Sequence, residues 1–103
     1  MPNAVIEKIP AAAILFDDFD FTNELPGDTS ITRAVTAVDS DGAAASSVVG
    51  TVAGSGMVVS AICQAGTNGQ DYLLDFKATG VTTGQIAMKQ LEMRVRSKVT
   101  GAL

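Results

Sequence analysis

Hydrophobic and polar residues alternate along most of the chain, which is the pattern of strands that bury one face. The alternation is clearest between residues 72 and 79, where the apolar face consists of Tyr72, Leu74, Phe76 and Ala78. Turns rich in Gly, Pro, Asn and Asp separate the apolar segments. The sequence therefore predicts about seven short strands, over residues 4–9, 13–21, 31–38, 48–52, 57–65, 72–79 and 85–99.

Two of these strands change phase along their length. Phe16 is at an even position and Phe19 is at an odd one, so a regular strand would direct the two rings to opposite faces. The residues between them, 17–18, are both Asp. The start of the last strand is likewise out of phase with its end, and the change falls between Met88 and Leu91. An extra residue in a strand moves the following side chains to the other face, so the pattern predicts one β-bulge at each place.

One turn indicates a particular kind of sandwich. Tyr72 follows the turn 66–69 and begins the sixth strand. Sandwiches of the immunoglobulin type have a tyrosine at this place, and its hydroxyl bonds the backbone a few residues upstream. The alternative is that Tyr72 is only an apolar strand residue. We predict an all-β, immunoglobulin-like antiparallel β-sandwich of about seven strands, forming a single domain over residues 1–103.

Composition and charge narrow the classes of partner. The 11 acidic residues outnumber the 7 basic ones, and the net charge is −4. The basic residues are dispersed, which argues against a nucleic-acid partner, because phosphate binding needs a concentrated positive face. No stretch approaches the roughly 20 apolar residues of a membrane helix, and no secretory signal is visible, so we expect neither a membrane partner nor export.

Candidate chemistry is sparse. The chain has no histidine, which removes the usual general base near neutral pH, and its single cysteine, Cys63, lies in an apolar run that predicts burial. Asp18 and Asp20 would share a strand face, either as solvated positions or as an acid–base or cation site. The segment 39–42 resembles half of a calcium loop, and 54–56 resembles a phosphate loop, but ordinary turns explain both. We assign no catalytic, metal or cofactor-binding residue and expect no enzyme.

Four stretches together resemble small immunoglobulin-like proteins encoded among the structural genes of tailed bacteriophages. The similarity extends from about Ile14 to Arg96, and its motifs are turns and strands: Phe19 to Leu25 with Gly27-Asp28, Ile31 to Val38, Gly66 to Tyr72, and Leu91 to Arg96. The typical family pattern has a tight Asn-Gly or Asp-Gly hairpin after the sixth strand, whereas this chain has the longer segment 80–84. The family has no motif for a ligand site, so no site residue is carried over.

The resemblance implies an accessory virion protein, assembled in the host cytoplasm and present in many copies at the neck, the tail or the fibre-attachment region. Residues 1–10 and 98–103 are candidate arms that contact other virion proteins. A capsid decoration protein on the head surface is the alternative. A carbohydrate-binding or adhesion module is a further one, which the lack of Trp disfavours.

Overall fold

The computed structural model describes residues 3–97 and consists of two packed β-sheets. The strands, in chain order, are β1 (Ala4–Lys8), β2 (Ile14–Asp20), β3 (Ile31–Asp39), β4 (Val49–Ala53), β5 (Val58–Cys63), β6 (Asp71–Gly80) and β7 (Ile86–Val95), with one 3-10 turn at Ser46–Val48 before β4. The sequence-based prediction of about seven strands is confirmed, with ends that differ by a few residues. The last two predicted residues of the seventh strand lie outside the described residues.

The strand order is that of an immunoglobulin-like sandwich. One sheet has the order β1-β7-β6-β3, and the other has the order β2-β5-β4. All strand pairs are antiparallel except β1 with β7, which run parallel, so the expectation of a wholly antiparallel sandwich needs this one correction. The first strand thus joins the sheet of the last strand instead of the sheet of β2.

The β1 pairing bears on the predicted N-terminal arm. Ala4 pairs with Leu91 and Lys8 with Val95, so residues 4–8 are an integral strand of the chain's own sheet. The side chain and backbone of Asn3 also bond the backbone of Gln90. Contact of residues 1–10 with another polypeptide stays a prediction, and the second candidate arm, 98–103, lies outside the described residues.

The core lies between the sheets and is centred on three aromatic rings. Phe16 and Phe19 meet edge to face at 4.8 Å between ring centroids, and each also meets Phe76 edge to face, at 5.6 and 5.1 Å. Such pairs stabilise beyond the area that they bury. The predicted inward face of β6 is confirmed, because its four alternating apolar side chains are all buried.

The two predicted bulges have different outcomes. The pairing of β2 with β5 shifts register between Phe16 and Phe19, which confirms the bulge at residues 17–18. The pairing of β6 with β7 runs without interruption from Asp71–Arg94 to Thr79–Ile86, so the bulge predicted between Met88 and Leu91 is wrong. The reason is that the apolar residues at the start of β7 face solvent instead of the core.

Two turns have the predicted geometry. In the turn 25–28, Gly27 has φ +92° and the Asp28 amide donates to the Leu25 carbonyl, as in a type II turn. The Tyr72 hydroxyl accepts a hydrogen bond from the Thr67 amide at 2.9 Å, and the ring is buried. This bond holds the turn before β6 against the strand, as in the tyrosine corner of immunoglobulin-like sandwiches.

We predict that Tyr72→Phe lowers the free energy of unfolding by about 0.5–1.5 kcal/mol, the net contribution of one hydrogen bond. The buried ring keeps its shape, so the change isolates the loss of the hydroxyl. A denaturant titration of both proteins measures the difference. Equal midpoints and equal slopes would mean that the hydroxyl contributes nothing to stability.

Candidate interaction surface

The acidic candidates do not assemble into a site. Asp17 and Asp18 are exposed in the bulge of β2. Asp20 accepts hydrogen bonds from the amide and the hydroxyl of Thr22, at 2.9 and 2.5 Å, which lower the pKa of its carboxyl. Within residues 3–97 no three acidic, histidine or cysteine side chains lie close enough together to hold a metal ion. Asp20 therefore stabilises the local turn after β2.

The segments that resemble a calcium loop, 39–42, and a phosphate loop, 54–56, are turns in the structure. The Asp39 carboxylate accepts hydrogen bonds from the amides of Asp41 and Ala43, at 2.9 and 3.0 Å, and so closes the turn after β3. The segment 54–56 joins β4 to β5. A Cβ on Gly54, whose φ is +146°, would lie 2.0 Å from the Val58 carbonyl oxygen, so this turn requires glycine.

The buried nucleophilic groups, Lys8 and Cys63, are enclosed. Both side chains have no exposed surface, and no pocket opens among the described residues. The Lys8 ammonium donates to the carbonyls of Ile9, Pro10 and Ala65, at 2.8, 3.4 and 2.5 Å. Burial lowers the pKa of Lys8 and raises the pKa of Cys63 to about 11. Both groups are therefore enclosed by the protein in this conformation.

Sequence reasoning missed Lys8, although the strand pattern contained a signal. In β1 the residues of one parity, Ala4 and Ile6, are partly buried against the core, and Lys8 continues that parity. The side chain of Lys8 is thus directed inward by the pleat, and carbonyl oxygens at the end of the sandwich satisfy its charge.

The surface feature that stands out is apolar and lies at the β6–β7 hairpin. Val81, Ile86 and Met88, which we call the hairpin patch, are 61, 59 and 59% exposed. Ile86 and Met88 alternate with the inward residues of β7 and project from the outer face of the four-stranded sheet. Their cross-strand neighbours on β6 are Thr79 and Lys77.

The loop that contains Val81 is fixed by a buried carboxylate. Asp28 Oδ1 accepts hydrogen bonds from the amides of Thr82 and Thr83, at 2.9 and 3.1 Å, and Oδ2 accepts the Thr83 hydroxyl at 2.5 Å. Asp28 also lies directly against Gly80, where a Cβ would approach its Oδ2 to 2.1 Å. Asp28 therefore anchors the backbone of the longer hairpin, 80–84, which contains Val81.

A second charged group borders the same end of the sandwich. The Lys89 ammonium lies 5.3 Å from the ring centroid of Phe21, donates to the Asp20 carbonyl at 3.1 Å, and is 3.3 Å from the Glu24 carboxylate. Lys89 occupies an inward-facing position of β7. Its side chain covers the end of the aromatic core, and its ammonium group lies at the surface. On this part of β7, the inward position 89 thus holds a charged residue, and the exposed apolar residues Ile86 and Met88 lie on the outer face of the sheet.

Comparison with protein-family models, with curated proteins and with solved structures finds no match. None of the helical segments in residues 3–97 has the length and hydrophobicity that crossing a membrane requires.

The contacts of Asp28 generate a prediction about pH. Hydrogen bonds, foremost from Thr83, lower its pKa from the ordinary 3.8 in the folded state. Its contribution to stability is therefore complete above about pH 4 and is lost as the pH falls through the lowered folded pKa. We predict that Asp28→Asn is less stable than the native protein at pH 7, and that the difference narrows below pH 4.

Denaturant titrations from pH 7 to pH 2 measure this difference. Asp17→Asn is the matched control, because it removes the same charge from an exposed position in the β2 bulge. If Asp28→Asn and Asp17→Asn change the free energy of unfolding by the same amount at every pH, the role of Asp28 in holding the hairpin is contradicted.

Proposed function

We propose that this protein is a non-enzymatic structural protein of a tailed-phage virion. It docks as a repeated subunit at the neck, the tail or the fibre-attachment region, after synthesis in the host cytoplasm. The resemblance of residues 14–96 to immunoglobulin-like virion proteins motivates the proposal, and the sandwich order with its Tyr72 corner is in keeping with it.

The observation that carries the docking role is the hairpin patch. Three of the six large apolar side chains that are exposed in the described residues lie at this hairpin, and they are the three most exposed of the six. Full burial of one such side chain contributes roughly 1.5–3 kcal/mol, so a partner surface that covers the patch gains substantial free energy. Exposed apolar clusters on small domains commonly mark interaction sites. The anchored backbone of the hairpin adds to this, since less conformational freedom is lost when the partner binds.

The distribution of reactive groups supports binding over catalysis. The chain contains no histidine, and Cys63 and Lys8 are enclosed. The exposed carboxylates of β2 are spread along an edge instead of converging on a pocket. A module of this kind acts through its surfaces.

Repetition would strengthen a small docking surface. A patch of three residues gives weak binding when one copy acts alone. On a symmetric particle, one bound copy keeps its neighbours close to their own binding sites. This raises their effective concentration, so many weak contacts together give stable attachment. The proposal therefore requires several copies for each particle.

Quantitative mass spectrometry of purified particles tests the virion assignment. The protein should co-purify with particles after nuclease treatment and high-salt washing. A copy number of about a dozen supports the neck or fibre-attachment site, and hundreds would support head decoration, because copy number follows the symmetry of the docking platform. Absence from purified particles would refute the virion role.

The docking surface has its own prediction. Ile86→Asp places a charge in the middle of the hairpin patch and should strongly reduce incorporation into particles, because binding would have to desolvate that charge. Leu15→Asp is the matched control, since Leu15 is 56% exposed on the other sheet. Particles made in cells that supply each variant are compared by immunoblot. Equal incorporation of both variants would exclude the patch as the docking surface.

A further inference from the structure

One dipeptide in the turn before β6 invites a spontaneous chemical change. Asn68 is followed by Gly69, and both residues are exposed. A backbone nitrogen attacks the side-chain amide of the preceding asparagine most readily when that nitrogen belongs to glycine, because no side chain hinders the approach. The other two asparagines of the chain, Asn3 and Asn23, precede residues that have a side chain. Asn68 is therefore the asparagine whose neighbour favours this reaction.

The reaction is intramolecular and consumes only water. The Gly69 nitrogen gives its proton to solvent base and forms a bond to Cγ of Asn68. The Cγ–Nδ2 bond then breaks, and the side-chain nitrogen takes a proton from water and leaves as ammonia. Water opens the resulting succinimide ring at either carbonyl, with no change in oxidation state. One product has aspartate at position 68, and the other has isoaspartate, whose main chain passes through the former side-chain carbon.

The shape of the turn holds the two reacting atoms apart. The Gln70 amide donates to the Thr67 carbonyl at 3.0 Å, Gly69 has φ +88°, and φ of Asn68 is negative. This combination defines a type II turn. Ring closure requires the Gly69 nitrogen to eclipse Cβ of Asn68, which needs a rotation of about 120° in ψ from the type II value. The native turn therefore opposes the geometry of attack.

The end of β7 restrains both reacting groups. The Gly69 amide, which must lose its proton in the reaction, donates to the Val95 carbonyl at 2.8 Å. Asn68 Oδ1 accepts a hydrogen bond from the Ser97 amide at 2.7 Å, which fixes the side chain whose carbon would be attacked. Residues 95–97, which we call the closing segment, therefore hold the nucleophile and the electrophile together in an unreactive arrangement.

The closing segment is itself held by a few bonds at the end of the sheet. The Arg96 amide donates to the Lys8 carbonyl at 2.9 Å, and the Arg96 guanidinium lies 2.8 Å from the Asp71 carboxylate. The ends of strands open locally at a lower cost in free energy than the unfolding of the whole domain. Local opening of the closing segment is thus the event that makes Asn68 reactive.

We propose that Asn68 is a site of spontaneous isoaspartate formation and that the closing segment gates it. While residues 95–97 stay paired, the reaction is suppressed. Each opening frees the Gly69 amide and the Asn68 side chain at the same time and lets the turn rotate. Because ammonia is lost, the product does not revert, and brief openings accumulate as a permanent change.

The modification weakens the same contacts that suppress it. Isoaspartate adds one carbon atom to the main chain at position 68. The preceding residue, Thr67, donates its amide to the Tyr72 hydroxyl at 2.9 Å, and the following residue, Gly69, donates to Val95 at 2.8 Å. Both flanking residues are thus bonded to fixed partners, and a longer main chain between them displaces at least one. A modified chain therefore holds its closing segment less firmly than the native chain.

The rate of deamidation at Asn68 tests the gate, and peptide mass spectrometry measures it during incubation at mildly alkaline pH. The native chain should deamidate many-fold more slowly than the same chain unfolded in denaturant at equal pH and temperature. Ser97→Pro removes the amide that binds Asn68 Oδ1 and should raise the rate in the folded protein several-fold. Ser97→Ala is the matched control, because it keeps that amide and should leave the rate unchanged.

Two results would overturn the proposal: a native rate equal to that of the unfolded chain, or equal rates for Ser97→Pro and Ser97→Ala. Circular dichroism verifies the fold of each variant, and the comparison of native with unfolded chain needs no substitution. Hydrogen exchange adds a second readout, since the Gly69 amide should exchange faster in the purified isoaspartate form than in the native chain. Equal exchange would refute the weakening of the closing segment. The outcome does not depend on the virion role, which particle mass spectrometry tests separately.

Discussion

The one-residue bulge in β2 is the constraint on which the sandwich core depends. Phe16 and Phe19 are three positions apart, so a regular strand would direct their rings to opposite faces. The extra residue at 17–18 turns both rings inward, where they pack edge to face on each other and on Phe76 from the opposite sheet. The same distortion places two carboxylates on an edge strand. One local irregularity thus joins the sheets and protects an edge.

The sequence predicted the elements well because most strands of this fold bury one face, and burial leaves a period of two. The prediction failed at the start of β7, where Ile86 and Met88 were assigned to the core because they are apolar. Their exposure reflects position in an uninterrupted register, which only the pairing with β6 reveals. Lys8 is the converse case. Its place in the alternation of β1 is that of a buried residue, but a charged side chain is normally expected to face solvent.

The candidate interaction surface was harder to predict because its order depends on distant partners. Asp28 and Thr83 are 55 positions apart, and neither the turn at Gly27 nor the composition of the hairpin reveals that they meet. The absence of a clustered reactive set was easier to foresee, because it follows from residue types. Local chemistry was therefore accessible from the sequence, whereas the arrangement of surfaces required the tertiary structure.

The parallel pairing of β1 with β7 has a consequence for biosynthesis. The sheet β2-β5-β4 has all its strands once Cys63 has been made, but the other sheet has β1 and β3 at its edges and the last two strands between them. During translation β1 is made long before its partner β7, and β3 is made before its partner β6. The four-stranded sheet is therefore completed only after β7 has been made, and until then β1 has no partner strand and is available to chaperones.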